Sequence, residues 1–512
     1  MLNNILIVGG GSAGWMTAST LIKAFPDKNI TLIESPNIPT VGVGESTIGG
    51  IRNWTNFLEI EDKDFLSSTD GSYKLGIRFT DFYKKGEHFF YPFGLENTEG
   101  NVAFKNDWFI KKEFFPETPY SDYADHIFPI MSLINQNKIS YNKDKLLPSF
   151  EFNLDTAFHF DATKFGIWLR DKYCIPRGVK HIKEDVISIE TNEEGIESLN
   201  KKHKADLFID CTGFKALLMD KTLKEPFESY EDLLPNNSAW ATRIPYKDKE
   251  KELVTYTNCT AIENGWVWNI PLWSRIGTGY VYSDKFVSDE EALEQLKKHL
   301  GKRSPKDKSD YKNIKMRVGI HKRLWVKNVC AIGLAAGFIE PLESNGLFSV
   351  HEFLKSLVRN LKRNESSQWD KDNFTYECKK MFREFAEFVA LHYALSHRKD
   401  TPYWKNNFNK EWSKNLINLE PFLLKGLAYS SYTRIFEYAF EQGGIHAIAA
   451  GMHWAPTDLN TILLNAPYPK KDVLSTWNTL IYNLNNKKKN WDRAVKKEES
   501  LFSFLKKEIY EK

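Results

Sequence analysis

The chain opens with Ile5-Leu6-Ile7-Val8-Gly9-Gly10-Gly11-Ser12-Ala13-Gly14-Trp15, an apolar run that leads into a glycine-rich turn. Four consecutive apolar residues predict a buried β-strand, and the residues after the turn have the spacing of a helix. Gly9, Gly11 and Gly14 occupy the G-x-G-x-x-G positions: the first permits a tight turn, the second lets a pyrophosphate approach the backbone, and the third lets the helix pack closely on the strand. The amides at the start of such a helix favour a bound phosphate group.

A second apolar run, Ile30–Ile33, ends at Glu34, twenty positions after Gly14. In dinucleotide-binding units an acidic residue at this distance binds the ribose hydroxyls. A carboxylate would repel a 2′-phosphate, so the pattern predicts FAD or NAD rather than NADP.

Composition sets the broad class of the protein. The 512 residues are 42% hydrophobic and 27% charged, with a net charge of +3. That balance is typical of a soluble globular protein, and the small net charge argues against nucleic acid or a membrane surface as the main partner. Five scattered cysteines predict reduced core residues of a cytoplasmic protein rather than a disulfide or metal framework. We find no signal-peptide pattern and no apolar run long enough to cross a bilayer, and the sequence leaves homo-oligomerisation open.

Strand-like and helix-like stretches alternate over the first two-thirds of the chain. Val186–Glu190, Asp206–Phe214 and Asn328–Leu334 have the pattern of strands, and Thr163–Lys172 that of a helix. This order predicts an α/β architecture with a parallel sheet. Beyond about Gln368 apolar residues recur at helical spacing, so we expect two parts, residues 1–367 and a mainly helical part, residues 368–512.

Alternation also predicts a strand around Lys74. After an Asp-Gly turn, Tyr73, Leu75, Ile77 and Phe79 alternate with other residues. On this evidence alone Lys74 lies on the face opposite the apolar side chains and is an ordinary solvated lysine.

Two further stretches have unusual residue combinations. Trp266 and Trp268 lie two positions apart and therefore on one face of an extended segment, which by itself is typical of a core pair. Glu343 directly precedes a Ser-Asn-Gly turn that opens a predicted helix, an arrangement suited to binding an anion.

Taken together, the motifs resemble the flavin-dependent halogenases of the tryptophan-halogenase type over nearly the whole chain. The matching motifs are GGGSAGW at 9–15, VGVGES at 41–46, SYK at 72–74, FHFDA at 158–162, DLFIDCTGF at 206–214, WVWNIP at 266–271, GTGYVYS at 277–283, GFIEPLESNG at 337–346 and HYALSHRKDTPYW at 392–404. The WVWNIP segment discriminates best, because related flavin monooxygenases lack it. The implied fold is a Rossmann-like flavoprotein fold with two dinucleotide-binding domains, a mixed sheet and a mainly helical C-terminal region that covers the substrate.

The resemblance implies a reaction and roles for particular residues. FADH2, dioxygen and a halide (chloride, bromide or iodide) would yield hypohalous acid, which would reach Lys74 and halogenate an electron-rich aromatic substrate. Lys74 and Glu343 match the catalytic residues, and the backbone amides of Asn345 and Gly346 match the halide site. The tryptophan pair matches a wall that separates the flavin chamber from the substrate. Lys74 would act as a haloamine or by hydrogen bonding, and the sequence leaves both open.

The resemblance further implies FAD contacts at Gly9, Gly10, Gly11, Ser12, Ala13, Gly14, Glu34, Ser35, Ile38, Glu45, Ser46, Val186, Leu334 and Leu347. No second dinucleotide motif is present for a nicotinamide cofactor, so a separate NAD(P)H-dependent flavin reductase is expected to supply the reduced flavin. A flavin-dependent aromatic monooxygenase is the alternative function.

Two departures from the family pattern bear on specificity. Asn345 stands where tryptophan halogenases usually have threonine, which predicts a halide preference shifted towards bromide or iodide. The segment Tyr429–Pro456 differs from the one that holds free tryptophan, so we expect a different or broader aromatic substrate. Its aromatic residues, equally compatible with a core or a pocket, are Phe436, Tyr438, Phe440 and Trp454.

Overall fold

The computed structural model describes residues 2–38, 44–96, 104–362, 366–412, 416, 442–454 and 473–511. Strands and helices alternate along most of the first two-thirds, and the described residues after 367 contain helices and connecting turns. The α/β class predicted from the sequence is confirmed.

A six-stranded sheet contains the first strand of the chain at an inner position. Its order is β19-β20-β11-β1-β2-β8, and its strands are parallel except for β19, which pairs antiparallel with β20. The bounds are β1 Asn4–Val8, β2 Asn29–Glu34, β8 Lys180–Lys183, β11 Leu207–Asp210, β19 Trp325–Val326 and β20 Val329–Ala331. The inner strands are apolar because both faces of this sheet are covered, as is usual for parallel sheets.

A second, mixed sheet of seven strands contains the tryptophan pair. Its order is β17-β13-β16-β15-β14-β5-β6, with β14 and β5 parallel and all other neighbours antiparallel. The bounds are β5 Gly76–Thr80, β6 His88–Pro92, β13 Ser238–Ile244, β14 Tyr256–Ile262, β15 Gly265–Pro271, β16 Ile276–Tyr282 and β17 Lys312–Lys315.

The described residues also form three small sheets. The sheet β3-β7-β4 contains the lysine predicted to be catalytic, and the others are β12-β18-β21 and the hairpin β9-β10. The bounds are β3 Gly44–Ser46, β4 Ser72–Lys74, β7 Ala157–Asp161, β9 Ile189–Asn192, β10 Gly195–Leu199, β12 Phe227–Ser229, β18 Gly319–His321 and β21 Gly337–Phe338.

The helices pack around these sheets and dominate the C-terminal part. They are α1 Ser12–Ala24, α2 Ile51–Phe57, α3 Asp62–Phe65, α4 Phe104–Phe114, α5 Asp122–Ile127, α6 Met131–Asn135, α7 Phe152–Asp155, α8 Ala162–Trp168, α9 Lys249–Glu252, α10 Asp289–Leu300, α11 Gly346–Leu361, α12 Gln368–Ala394, α13 Pro402–Phe408, α14 Gln442–Gly451, α15 Val473–Ala494 and α16 Leu501–Leu505. The longest, α12, begins at a capping box in which Ser367 and Asp370 bond each other's backbone amides, which explains why a helix starts at the predicted division of the chain.

Two predictions about local structure are wrong. The alternating stretch from Tyr73 to Phe79 is not one strand: it breaks at Leu75 into β4 and β5, which belong to different sheets. Residues 186–188 precede the strand expected there, which spans Ile189–Asn192. Among the described residues, no helix is both long enough and apolar enough to span a membrane.

Candidate active site

The glycine turn between β1 and α1 has the features that its sequence predicts. Gly9 has a φ of +114°, and a Cβ there would lie 2.3 Å from the carbonyl oxygen of Cys211. A Cβ on Gly14 would lie 1.9 Å from the carbonyl oxygen of Gly9. At Gly11, by contrast, a Cβ would meet no described atom within 4 Å. Backbone atoms therefore leave no room for a side chain at Gly9 and Gly14, whereas the space beside Gly11 is open, as binding of a pyrophosphate requires.

Glu34 lies at the end of β2, against this turn. Its Oε1 is 2.7 Å from Nε2 of His181 and 3.9 Å from a guanidinium nitrogen of Arg170. A Cβ on Gly10 would fall only 1.6 Å from Oε2 of Glu34. The carboxylate thus borders the glycine turn, in the position from which an acid reaches a ribose.

The remaining residues predicted to contact FAD divide between two places. Leu334 lies beside the glycine turn, because a Cβ on the preceding Gly333 would come within 2.7 Å of the Ala13 side chain. Leu334 and Ile38 expose 38% and 66% of their surfaces, which is unusual for apolar residues of this size. Ser12, Ala13, Ser35 and Val186, also of the predicted set, are partly buried. Ser46, Glu45 and Leu347 lie instead near Lys74 and the start of α11.

Of the predicted site residues, Lys74 differs most from what strand alternation alone indicates. Its side chain is completely buried rather than solvated. Nζ donates to the carbonyl oxygen of Thr47 at 2.9 Å and to Oγ of Ser344 at 2.7 Å, and lies 4.9 Å from the centre of the Phe93 ring. Burial lowers the pKa of Lys74 to about 7, because the charged form loses its hydration.

Glu343 lies next to Ser344 and is equally buried. Its Oε1 is 3.0 Å from Nε2 of His392, within ion-pairing distance, yet neither carboxylate oxygen makes a hydrogen bond within the part of the chain that the structure describes. Nδ1 of His392 donates to the carbonyl oxygen of Val389 at 3.1 Å, which leaves Nε2 facing the carboxylate. Burial raises the pKa of Glu343, while His392 and Lys74 oppose that rise. A buried carboxylate with a raised pKa is a better proton acceptor than an exposed one.

The turn at Asn345 and Gly346 opens helix α11, as predicted. Asn345 occupies the N-cap position without a capping side-chain bond; its Nδ2 donates to the carbonyl oxygen of Ile339 at 3.3 Å. A Cβ on Gly346 would lie 2.8 Å from Oε1 of Glu45, and burial raises the pKa of Glu45 to about 7. A helix start of this kind favours an anion, and a neutral Glu45 would not oppose one.

The tryptophan pair lies on one face of β15, as alternation predicted. The ring centres of Trp266 and Trp268 are 6.2 Å apart at an angle of 61°. Trp268 packs so closely on Gly279 that a Cβ there would approach its ring to 2.2 Å. Nε1 of Trp266 donates to Oε2 of Glu340 at 3.0 Å. The two rings are thus fixed in a buried wall by neighbouring backbone and by a carboxylate.

Residues 4–467 match the family model described as tryptophan halogenase. The chain belongs to the tryptophan halogenase family. The halogenase is 35% identical to the tryptophan 6-halogenase SttH of Streptomyces toxytricini over 79% of this chain and 80% of that protein. It is 30% identical to the tryptophan 7-halogenase RebH of Lentzea aerocolonigenes over 92% and 93% of the two chains. Among solved structures it superposes on VirX1 with a TM-score of 0.88 and 36% identity, covering 99% of this chain and 100% of that one.

As a member of this family, the halogenase is an FADH2-dependent enzyme that uses a halide as co-substrate and needs a separate flavin reductase. The residues fit the cofactor, because the glycine turn provides an open cradle at Gly11 beside an acidic residue and the exposed Leu334.

Sequence reasoning missed three residues of this halogenase that border the site. Glu340 accepts hydrogen bonds on Oε2 from Asn236 at 2.7 Å and Tyr393 at 2.7 Å, in addition to Trp266. His392 faces Glu343 from helix α12. The GFIEPLESNG and HYALSHRKDTPYW motifs contained Glu340, His392 and Tyr393, but nothing in the spacing paired segments about fifty residues apart.

The segment that departs from the family pattern is only partly described. Trp454 is buried, with its ring centre 5.8 Å from that of Phe109. Phe436, Tyr438 and Phe440 lie outside the described residues.

Proposed function

We propose that this halogenase guides hypohalous acid to Lys74, where it halogenates an electron-rich aromatic substrate other than free tryptophan. The observation that carries the proposal is the environment of Lys74. Its ammonium group is fully buried and donates hydrogen bonds to Thr47 and Ser344, and Ser344 directly follows Glu343, whose carboxyl is also buried.

Bound FADH2 supplies, together with dioxygen, the two-electron oxidation that turns a halide into hypohalous acid. The protein's part begins with the halide, for which the amides of Asn345 and Gly346 offer the positive end of helix α11. Trp266 and Trp268 keep the organic substrate away from the cofactor, so that the substrate is halogenated rather than oxygenated.

Lys74 then presents the oxidant to the substrate. An ammonium group has three N–H donors, and within the described residues two of them bond Thr47 and Ser344. The third is available to the oxygen of hypohalous acid. Because the pKa of Lys74 is near neutral, the same nitrogen can also act as a free amine.

Glu343 completes the substitution by taking the ring proton. Electrophilic attack on an aromatic ring leaves a cation that must lose one proton to restore aromaticity. The carboxylate of Glu343, with His392 at 3.0 Å, accepts that proton in a buried setting where its basicity exceeds that of an exposed glutamate.

The test is a panel of electron-rich arenes, including indoles, phenols and free tryptophan, each offered with chloride, bromide or iodide. Purified protein receives FAD, a flavin reductase, a nicotinamide cofactor and air, and products are read by mass spectrometry. We expect halogenated arenes other than free tryptophan, with bromide or iodide preferred over chloride. Oxygenated products formed regardless of halide would support the monooxygenase alternative instead.

A further inference from the structure

A continuous chain of buried hydrogen bonds leads away from Lys74. Oγ of Ser344, which accepts from Lys74 Nζ, donates to Oγ of Ser46 at 3.0 Å. Ser46 Oγ lies 2.7 Å from Oγ1 of Thr257, and Thr257 Oγ1 lies 2.8 Å from Nε2 of His159. All five side chains are buried. Four of them come from the family motifs VGVGES, SYK, FHFDA and GFIEPLESNG. The function proposed above gives His159 no role.

The contact between His159 and Ser72, at the far end of this series of hydrogen bonds, fixes the donor and the acceptor in every bond of the series. The carbonyl oxygen of Pro271 can only accept a hydrogen bond, so Oγ of Ser72 donates its one proton to it, at 2.7 Å. Ser72 is therefore the acceptor towards Nδ1 of His159, 3.4 Å away. Nδ1 then bears the ring proton, and Nε2 of the neutral imidazole has a free lone pair.

The same reasoning continues back to the lysine. Thr257 donates to Nε2 of His159 and so accepts from Ser46. Ser46 has then used its proton and accepts from Ser344, which in turn accepts from Lys74. Each hydroxyl donates once towards His159, so the whole chain is oriented to pass a proton away from the lysine.

We propose that Ser344, Ser46, Thr257 and His159 form a proton relay that removes a proton from Lys74 when Lys74 reacts. This inference rests on the proposed role of Lys74 in halogenation. His159 acts through the three hydroxyls and touches neither substrate nor cofactor, so it is a positioning residue for the lysine.

The relay conserves protons at every step. One N–H bond of Lys74 breaks, each hydroxyl gains one proton and loses another, and Nε2 of His159 gains one. The amine left on Lys74 has the lone pair that attacks the halogen of hypohalous acid, and R–NH2 with HOX gives R–NHX and water. When the lysine passes the halogen to the arene, its nitrogen takes back the proton held by His159 and becomes R–NH2. The ring proton taken up by Glu343 then returns Lys74 to its ammonium form.

The electrostatics of the two ends agree with a temporary transfer. Burial lowers the pKa of His159 well below its usual value, and the positive charge of Lys74 lowers it further. At rest the proton therefore stays on Lys74. When Lys74 loses its charge, it no longer lowers the pKa of His159, which therefore becomes a better proton acceptor.

Other charged groups surround this path without interrupting it. Glu343 and Cys259 act on Lys74. At the two ends of β7, which contains His159, Arg52 bonds Thr156 and Arg275 pairs with Asp161. Glu45 lies on β3 beside Ser46 and opposite Phe160 of β7.

The first test breaks the relay at its middle without removing a charge. Thr257→Val replaces the hydroxyl by a methyl group of the same shape, and Thr257→Ser keeps the hydroxyl. We expect Thr257→Val to lower halogenated product per reduced FAD oxidised by about tenfold or more, with flavin oxidation unchanged. Thr257→Ser restores most of the product.

The matched control is Thr255→Val, two residues earlier. Thr255 is also fully buried, and its hydroxyl makes no hydrogen bond within the described residues. This variant removes the same chemical group from the same region and is expected to behave like the unmodified protein. In mixtures of H2O and D2O the product-forming rate should depend on several protons, and on fewer in Thr257→Val, which a purely structural hydroxyl would not cause. Product formation in Thr257→Val at the unmodified level overturns the relay.

A second measurement does not depend on halogenation. In protein labelled with 15N-histidine, and with His159→Asn used to assign the signals, we expect His159 at pH 7 to show a protonated Nδ1 and a bare Nε2. The opposite tautomer, or a doubly protonated ring, overturns the relay. Because no arene or flavin turnover is involved, this result separates a failure of the relay from a failure of the proposed function.

Discussion

At Gly11 a Cβ would meet no described atom within 4 Å, whereas the side chain of Lys74 has no exposed surface at all. The glycine turn is bordered by the exposed side chain of Leu334. The surroundings of Lys74 are filled by Ser344, Phe93 and the strands of two sheets. The two regions are built in opposite ways although they serve one reaction.

The difference follows from what each region has to handle. A flavin that is reduced by another protein must enter and leave, and an open cradle allows it. In the proposed reaction, hypohalous acid would also attack other side chains and electron-rich arenes, so the place where it is used must be enclosed. Under the proposed function, exchange of the cofactor and transfer of the halogen therefore take place in separate regions.

Removing the group at the closed end should give the largest effect. Lys74→Ala is expected to lower halogenated product by about a thousandfold, because it removes the N–H donors that orient the oxidant. Flavin oxidation should continue, and free hypohalous acid should appear in a chemical trap. Mass spectrometry of the arene product and spectrophotometry of the flavin measure the two parts. Unchanged halogenation by Lys74→Ala would sink the proposed mechanism.

Glu343→Gln keeps the shape of the closed site but removes its base. We expect product formation to fall by about a hundredfold, within the range of general base catalysis. The thermal unfolding midpoint should not fall, since burial already disfavours the charged carboxylate. The single-turnover rate of halogenation and a thermal melting curve measure the two effects. A rate equal to that of the unmodified protein would show that a group other than Glu343 accepts the ring proton.

Gly11→Ala tests the open end. The backbone there has φ −74° and ψ −177°, which alanine adopts readily, and the protein offers its Cβ no obstacle. The variant should fold normally but bind FAD roughly tenfold more weakly, because the methyl group occupies the approach of the pyrophosphate. Gly14→Ala is the contrasting variant and should impair folding itself, since its Cβ would lie 1.9 Å from a carbonyl oxygen. Flavin titration and melting curves distinguish them, and equal FAD affinity in Gly11→Ala would contradict the cradle.

The smallest expected effect, taken per pH unit, is a pH dependence of stability from Lys74. Burial lowers its pKa to about 7 in the folded protein from the ordinary value of 10.5. Between these two values the unfolded chain binds more protons than the folded one, so stability rises with pH, by at most about 1.4 kcal/mol per pH unit. The stability of the unmodified protein should therefore rise relative to that of Lys74→Met from pH 7 to 10. Denaturant titrations at several pH values measure this, and parallel curves would show that Lys74 is not desolvated.

The contrast between the open glycine turn and the buried surroundings of Lys74 also explains which features could be predicted from the sequence. The glycine turn is a local structure, and the roles of Gly9 and Gly14 follow from their spacing. Lys74 was misplaced by alternation, because that rule assumes one solvated face, whereas β4 is covered on both. Glu340 could not be found from pattern at all, since its partners Asn236 and Tyr393 come from distant parts of the chain. The family resemblance placed Lys74 beside Glu343, but only side-chain packing brought in His159 and His392.

Helix α12 begins at Gln368, where the proposed C-terminal part begins, yet two of its residues contact buried carboxyl groups of the candidate active site. His392 faces Glu343 and Tyr393 bonds Glu340. A chimera designed to change the substrate should therefore keep this helix together with the N-terminal part, and not exchange it with the proposed substrate-covering part. Recombination at residue 367 would mismatch both contacts, whereas a crossover after α13, beyond Phe408, would leave them intact and exchange only what lies further along.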